Sequence, residues 1–237
     1  MSSFSFFCSQ IGMPAMETLR LGSPFDYENL VTLVMIGDAP PPEQRDEQLR
    51  PFYHMMLKRY LSETGGGAFV LFTSYQMLKR CASDLTAWLS ERRMPLFVQG
   101  EGISRSEMIR RFKQQPNGVL FGTDSFWQGV DVPGQALRNV IITKLPFAVP
   151  TQPVIEAKVE RIKDRGGNPF GEYQLPSAIL KFKQGFGRLV RTQTDSGLVV
   201  VFDPRIHSKS YGKQFIDALP KCKIRMDRAS SKQETYF

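Results

Sequence analysis

Cysteine and histidine are scarce in this chain. Cys8, Cys81 and Cys222, with His54 and His207, are scattered over 237 residues. They offer neither a disulfide framework nor a metal-ligand spacing, and the odd, dispersed thiols fit a reducing compartment. No apolar run approaches the roughly 20 residues of a membrane span. The stretch Met1-Ser-Ser-Phe-Ser-Phe-Phe-Cys8 has no basic segment and no long apolar core, so it does not read as a signal peptide, and a cytoplasmic location without membrane contact is expected. No Gly-x-x-x-x-Gly-Lys-Ser/Thr occurs, and no Asp-Glu-x-His. Gly212-Lys213 is followed by Gln214 and has no upstream partner glycine. Leu198–Asp203 superficially resembles a metal-holding strand end, but Pro204 follows and no phosphate loop precedes it, so it reads as a core strand closing in a turn. ATP hydrolysis by phosphate-loop motors needs that loop, a lysine and a magnesium-holding carboxylate. The chain contains none of them.

What is present is an ordinary globular composition with a strong basic excess. With 41% hydrophobic residues the chain can bury a normal core, and its length allows one large or two small domains. A net charge of +8 and a pI near 9.5 favour a polyanionic partner.

Along the chain, residues 1–40 read as a short helix followed by extended segments, with a strand at Leu30–Ile36 and a break at Pro40-Pro-Pro42. Glu43–Glu63 shows helical spacing of Leu49, Phe52, Met56, Leu57, Tyr60 and Leu61, and Gly65-Gly-Gly67 ends it. A regular alternation follows. Strands are expected at 68–72, 96–99, 119–121, 138–144 and 198–202, with helices at 76–92, 104–115, 153–165 and 208–219. The apolar runs without polar alternation indicate strands buried on both faces, which means α/β architecture with a mostly parallel sheet and helices on both sides. From Lys221 onward the chain is polar and reads as a mobile tail.

In open α/β sheets, ligands sit beyond the carboxyl ends of the strands. Thr73-Ser74, Gln99-Gly100 and Thr123-Asp124 each follow a strand directly, which aligns three polar pairs. Their hydroxyls and N–H groups suit the phosphates of a nucleic-acid strand, and equally suit helix N-capping and turns. Ser125 lies beside them. Phe126 and Trp127 fit either stacking on a base or anchoring the loop in the core. Lys144, at a strand end, fits a phosphate contact or plain solvation.

The stretch Leu180–Arg191 carries the most specific pattern. On a helix, Phe182, Phe186, Leu189 and Val190 share one side with Ile179, while Lys181, Gln184, Arg188 and Arg191 fall within a sector of roughly 80° opposite. That row is compatible with a solvated charged face, but Gly185 and Gly187 cost about 1 kcal/mol each in a helix interior. A plain surface helix has no use for them, and the row has cationic forks suited to phosphate oxygens.

Gln184-Gly-Phe-Gly-Arg-Leu-Val-Arg191 resembles motif VI of superfamily 2 helicases in the form used by the DinG and XPD branch. Gly122–Gly134 resembles its motif V, and Val70–Tyr75 its motif IV. The flanking Leu145-Pro-Phe147 and Leu175-Pro-Ser-Ala178 also fit, and the resemblance covers about Leu19 to Pro220. It implies a RecA-like, three-layer second helicase domain at 43–220. Residues 1–42 would then be a connector with the first strands, and 221–237 a tail. By this resemblance Arg188 and Arg191 are arginine fingers, Gln184 contacts the γ-phosphate or the attacking water, and Gly129 and Asp131 lie close to the nucleotide. Thr73, Ser74, Gln99, Gly100, Thr123, Asp124, Ser125, Trp127 and Lys144 face the nucleic acid. ATP and Mg²⁺ would be held mainly by a first RecA-like domain, to which any iron–sulfur cluster would also belong. The implied partners are that domain and single-stranded DNA, with 5′-to-3′ movement and a role in repair or replication. The basic segment 153–165, with Lys158, Arg161, Lys163 and Arg165, would be an insertion forming a groove or a solvated helix. A non-catalytic nucleic-acid-binding module, a degenerate paralogue and an RNA-directed member are the alternative readings.

Overall fold

The computed structural model describes residues 3–13, 17–19, 21–127, 136–149 and 152–230. In chain order the elements are α1 (Ser3–Ile11), α2 (Tyr27–Leu30), β1 (Val31–Ile36), α3 (Asp46–Thr64), β2 (Ala68–Leu71), α4 (Tyr75–Glu91), β3 (Leu96–Val98), α5 (Arg105–Lys113) and β4 (Val119–Gly122). Then come α6 (Asp124–Trp127), β5 (Asn139–Ile142), α7 (Pro153–Asp164), a π-helical turn (Phe170–Gln174), α8 (Leu175–Phe186), β6 (Gly197–Val201), α9 (Arg205–Ser208), α10 (Gly212–Asp217) and β7 (Lys223–Asp227).

The chain forms two compact units. The larger, 25–145 with 182–237, holds one sheet of seven strands in the order β3-β4-β2-β5-β6-β1-β7. Every pairing is parallel. β2, β4 and β5 are buried at every position; their residues are apolar or glycine except Asn139 at the start of β5, which donates to the Tyr60 carbonyl at 3.0 Å. On one face, Leu49, Met56, Leu57 and Tyr60 of α3 and Leu78, Cys81 and Leu85 of α4 join Val70, Phe121, Val200 and Phe202 in one core. Ser74 caps α4 by accepting from the Met77 N–H at 3.2 Å, and Ser104 caps α5 through the Glu107 N–H at 3.3 Å. Gly66, at φ +79°, lies against the Asn117 carbonyl, where a Cβ would collide with backbone.

The smaller unit, 1–24 with 146–181, contains α1, α7, the π-helical turn and the start of α8. Within it, Lys158 donates to Gln10 Oε1 at 2.9 Å and lies over the ring of Tyr173. Arg165 pairs with Glu172, so the α7 region spends part of its expected basic surface internally.

Three expectations change. The expected tail folds from Lys223 to Asp227 as β7, paired to β1. The expected helix at 208–219 shortens to α10, and the separate α9 precedes it, with Gly212 lying against the backbone carbonyl of Ile206. The helix carrying the arginine row stops at Phe186. Among the described residues, no helix is long and apolar enough to cross a membrane.

Candidate nucleotide and nucleic-acid site

Because β3, β4 and β2 are adjacent and parallel, the three polar pairs do lie together beyond one end of the sheet. Gln99 and Thr123 are bonded to each other. The Gln99 side-chain oxygen accepts from the Thr123 N–H at 2.7 Å and from its hydroxyl at 2.9 Å. Tyr75, 41% exposed, donates its hydroxyl to the Gln99 carbonyl at 3.2 Å. Gly100, at φ +89°, leaves no room there for a Cβ against that hydroxyl. The Lys79 ammonium lies 4.9 Å from the Tyr75 ring centre. Ser74 is committed to its helix cap, while Thr73 is half-buried beside it. Asp124 and Ser125 open α6. Tyr75 was not among the sequence candidates. Its signal is an aromatic at the first position of a helix that follows a Thr-Ser strand end.

One candidate sits elsewhere. Trp127 is fully buried and Phe126 nearly so, which corrects the expectation that Trp127 faces the nucleic acid. The large apolar ring is worth more in the core than in solvent. The Lys144 ammonium donates to the Pro42 carbonyl at 2.9 Å, beyond the end of β5, which runs parallel beside β2 and so shares the sheet end of the three pairs. Gly129 and Asp131 lie outside the described residues.

The arginine row is not one helical face. Gln184 is exposed on the last turn of α8. Beyond it the backbone tightens, with Arg188 N–H bonded to Gly185 O at 3.2 Å and Leu189 N–H to Phe186 O at 3.3 Å. Such i→i−3 bonds close a helix. The expected opposition of arginines to the apolar side therefore fails at Arg188, which is buried at 6% exposure. Its Nη2 donates to the backbone carbonyl of Trp127 at 2.7 Å. Gly185 is needed at the same junction, since a Cβ would lie 2.9 Å from the Trp127 ring.

Arg191 is exposed, in a turn shaped by a residue the sequence reading missed. Buried Asp195 accepts the N–H groups of Arg191 and Thr192, both at 2.8 Å. Asp195 stands two residues before β6, so this turn enters the sheet at the end opposite the three polar pairs. Among the described residues no cluster of three or more His, Cys, Asp or Glu side chains could hold a metal ion.

An all-parallel seven-stranded sheet with helices packed against it has the RecA-like fold of helicase domains. An apo XPD structure superposes with a TM-score of 0.63 at 17% identity, covering 84% of this chain and 40% of that one, a likeness of fold. Residues 57–222 match the helicase C-terminal domain family, and the chain belongs to it. It is 40% identical over 233 residues to an ATP-dependent DNA helicase DinG of Photobacterium profundum, covering 94% of this chain and 33% of that protein. It is 37% identical to an ATP-dependent DNA helicase YoaA of Escherichia coli, covering 90% of this chain and 33% of that protein. The chain thus spans about a third of the length of these relatives.

Proposed function

We propose that this chain is the C-terminal motor domain of a cytoplasmic, ATP-dependent DNA helicase of the DinG type. The observation that carries the reading is the presence of two polar surfaces on one RecA-like unit: the strand ends at Thr73, Gln99 and Thr123, and the Arg191 turn. Single-stranded DNA takes the first. The Thr73 hydroxyl, the side-chain N–H groups of Gln99, held in place by Thr123, the Gly100 backbone and the first N–H groups of α4 hold phosphates and fix register without reading bases. Tyr75 supplies the exposed aromatic surface expected earlier of Trp127.

The Arg191 turn serves ATP. An exposed guanidinium and the exposed Gln184 amide are a donor set that fits phosphate oxygens. Arg191 neutralises charge developing on the transferring phosphoryl group, an effect worth roughly 10³–10⁵ in rate. Gln184 contacts the γ-phosphate or the attacking water. Gly129 and Asp131 complete the nucleotide's surroundings. Arg188 belongs to the same motif but ties it to the end of α6. The sequence carries no phosphate loop, and Mg²⁺ and the remaining phosphate contacts are assigned to a first RecA-like domain, as is any iron–sulfur cluster. Movement is 5′-to-3′, in repair or replication.

The test is ATP turnover. The chain alone should not hydrolyse ATP, and the full-length protein should do so with DNA stimulation. A full-length protein that binds DNA and never turns over ATP would favour a non-catalytic nucleic-acid-binding module.

A further inference from the structure

Arg191 stands five residues beyond the end of α8, so the helix does not hold it. What does hold it is a carboxylate. Asp195 is 5% exposed, and one of its oxygens, Oδ2, takes the N–H groups of two consecutive residues, Arg191 and Thr192. Charge-assisted bonds of this kind are short and directional. Two of them on one atom fix the backbone from which the Arg191 side chain departs. Thr192 and Thr194 close the turn through their hydroxyls, 3.1 Å apart.

The anchor is itself fixed. Gly197 follows two residues later, and a Cβ there would fall on the backbone carbonyl of Arg138. Leu198 N–H donates to that same carbonyl at 3.0 Å, at the start of β6. On the other side, Arg188 is bound to the Trp127 carbonyl. The segment 188–195 is therefore clamped at both ends, with the exposed Arg191 between the clamps.

We propose that Asp195 is a positioning residue for Arg191, presenting its guanidinium to the phosphoryl group of ATP. The proposal rests on the reading of Arg191 given above. A donor that stabilises a transition state must be placed before the reaction, so its misplacement slows turnover more than it weakens nucleotide binding.

The test uses the full-length protein with saturating single-stranded DNA. Asp195→Ala should lower kcat on the order of 10²-fold, the usual scale for a displaced group, while KM for ATP moves less than about threefold. Asp195→Asn keeps an oxygen that can accept both N–H groups and should recover most of the loss. Asp195→Glu keeps the charge but moves the oxygen, and should remain slow. If Asp195→Ala fails to fold, the Asn and Glu pair carries the comparison. In an Arg191→Ala background, removing the Asp195 carboxylate should cost nothing further. Equal losses in both backgrounds, or a slow Asn variant whose loss matches a lower folded fraction in thermal denaturation, would make Asp195 a turn cap only and overturn the proposal. So would a normal kcat in Asp195→Glu and Asp195→Ala beside an impaired Arg191→Ala. Full turnover in Arg191→Ala alone would overturn the reading of Arg191 itself, and the positioning role with it.

Discussion

Arg188 reaches from the turn after α8 to donate a 2.7 Å hydrogen bond to the backbone carbonyl of Trp127 at the end of α6. The two arginines of one motif therefore do different work. Arg188→Ala leaves a buried carbonyl without that donor and should cost about 1–3 kcal/mol, seen as a fall of several degrees in Tm. Arg191→Ala, on the surface, should stay within about 0.5 kcal/mol while lowering DNA-stimulated ATPase turnover of the full-length protein by roughly 10³-fold, to a residual rate that can still be measured. Thermal denaturation beside ATPase assays checks both, and equal Tm values for the two variants would refute the division.

Gly185→Ala tests the same junction from the helix side. The added methyl would sit 2.9 and 3.0 Å from two atoms of the Trp127 ring and 3.4 Å from Leu71. An indole ring in a packed core has little room to yield, so a loss of about 1–3 kcal/mol is expected. Gly187→Ala should cost less, since its nearest contact is the Lys183 carbonyl at 3.3 Å. Denaturant unfolding of the two variants gives the comparison.

The isolated chain should bind single-stranded DNA weakly, with little sequence preference and with affinity that falls as salt rises, because binding releases condensed counterions. Thr73→Ala combined with Thr123→Ala should weaken binding and change Tm by no more than a few degrees. Fluorescence anisotropy at two salt concentrations measures this. Salt-independent binding, or a double variant as tight as the parent, would place the DNA elsewhere.

The parallel sheet and the alignment of three polar pairs were readable because strand burial and strand-end chemistry are local properties. Three features were not. A helical wheel counts angles, and it cannot register that Trp127 meets α8 at Gly185, where the helix is about to end. It also places Arg188 in solvent, because nothing in the sequence reveals a carbonyl waiting in the core. The segment Lys223-Ile-Arg-Met-Asp227 looks like a tail since its charges outnumber its apolar residues. It becomes a strand because β1 offers it a ladder, and Asp227 accepts from Tyr60 at 2.7 Å and from Arg59 at 3.0 Å.

That attachment should be acid-sensitive. Burial pushes the Asp227 carboxyl up, but bonds from Tyr60 and the Arg228 N–H, with the charges of Arg59 and Arg225, together hold it below its ordinary value of 3.8. A depressed carboxylate contributes stability above its unfolded value and loses it as pH falls through the folded one. Protection of the β7 amides from hydrogen exchange should therefore be full near neutrality and decline below about pH 4. Asp227→Asn should show reduced protection already at neutral pH. Unchanged protection in that variant would assign the strand's attachment to backbone pairing alone.

The family match closes at residue 222, one position before β7 begins. A protein trimmed to that boundary would leave β1 as the last strand of the sheet, with the row Val31-Thr-Leu-Val-Met-Ile36 unpaired along one side. An uncharged row of that kind, rich in β-branched residues, is a template for a second copy to dock upon. With its lysine, arginine and aspartate, β7 closes the sheet with charges and so works as a guard against aggregation.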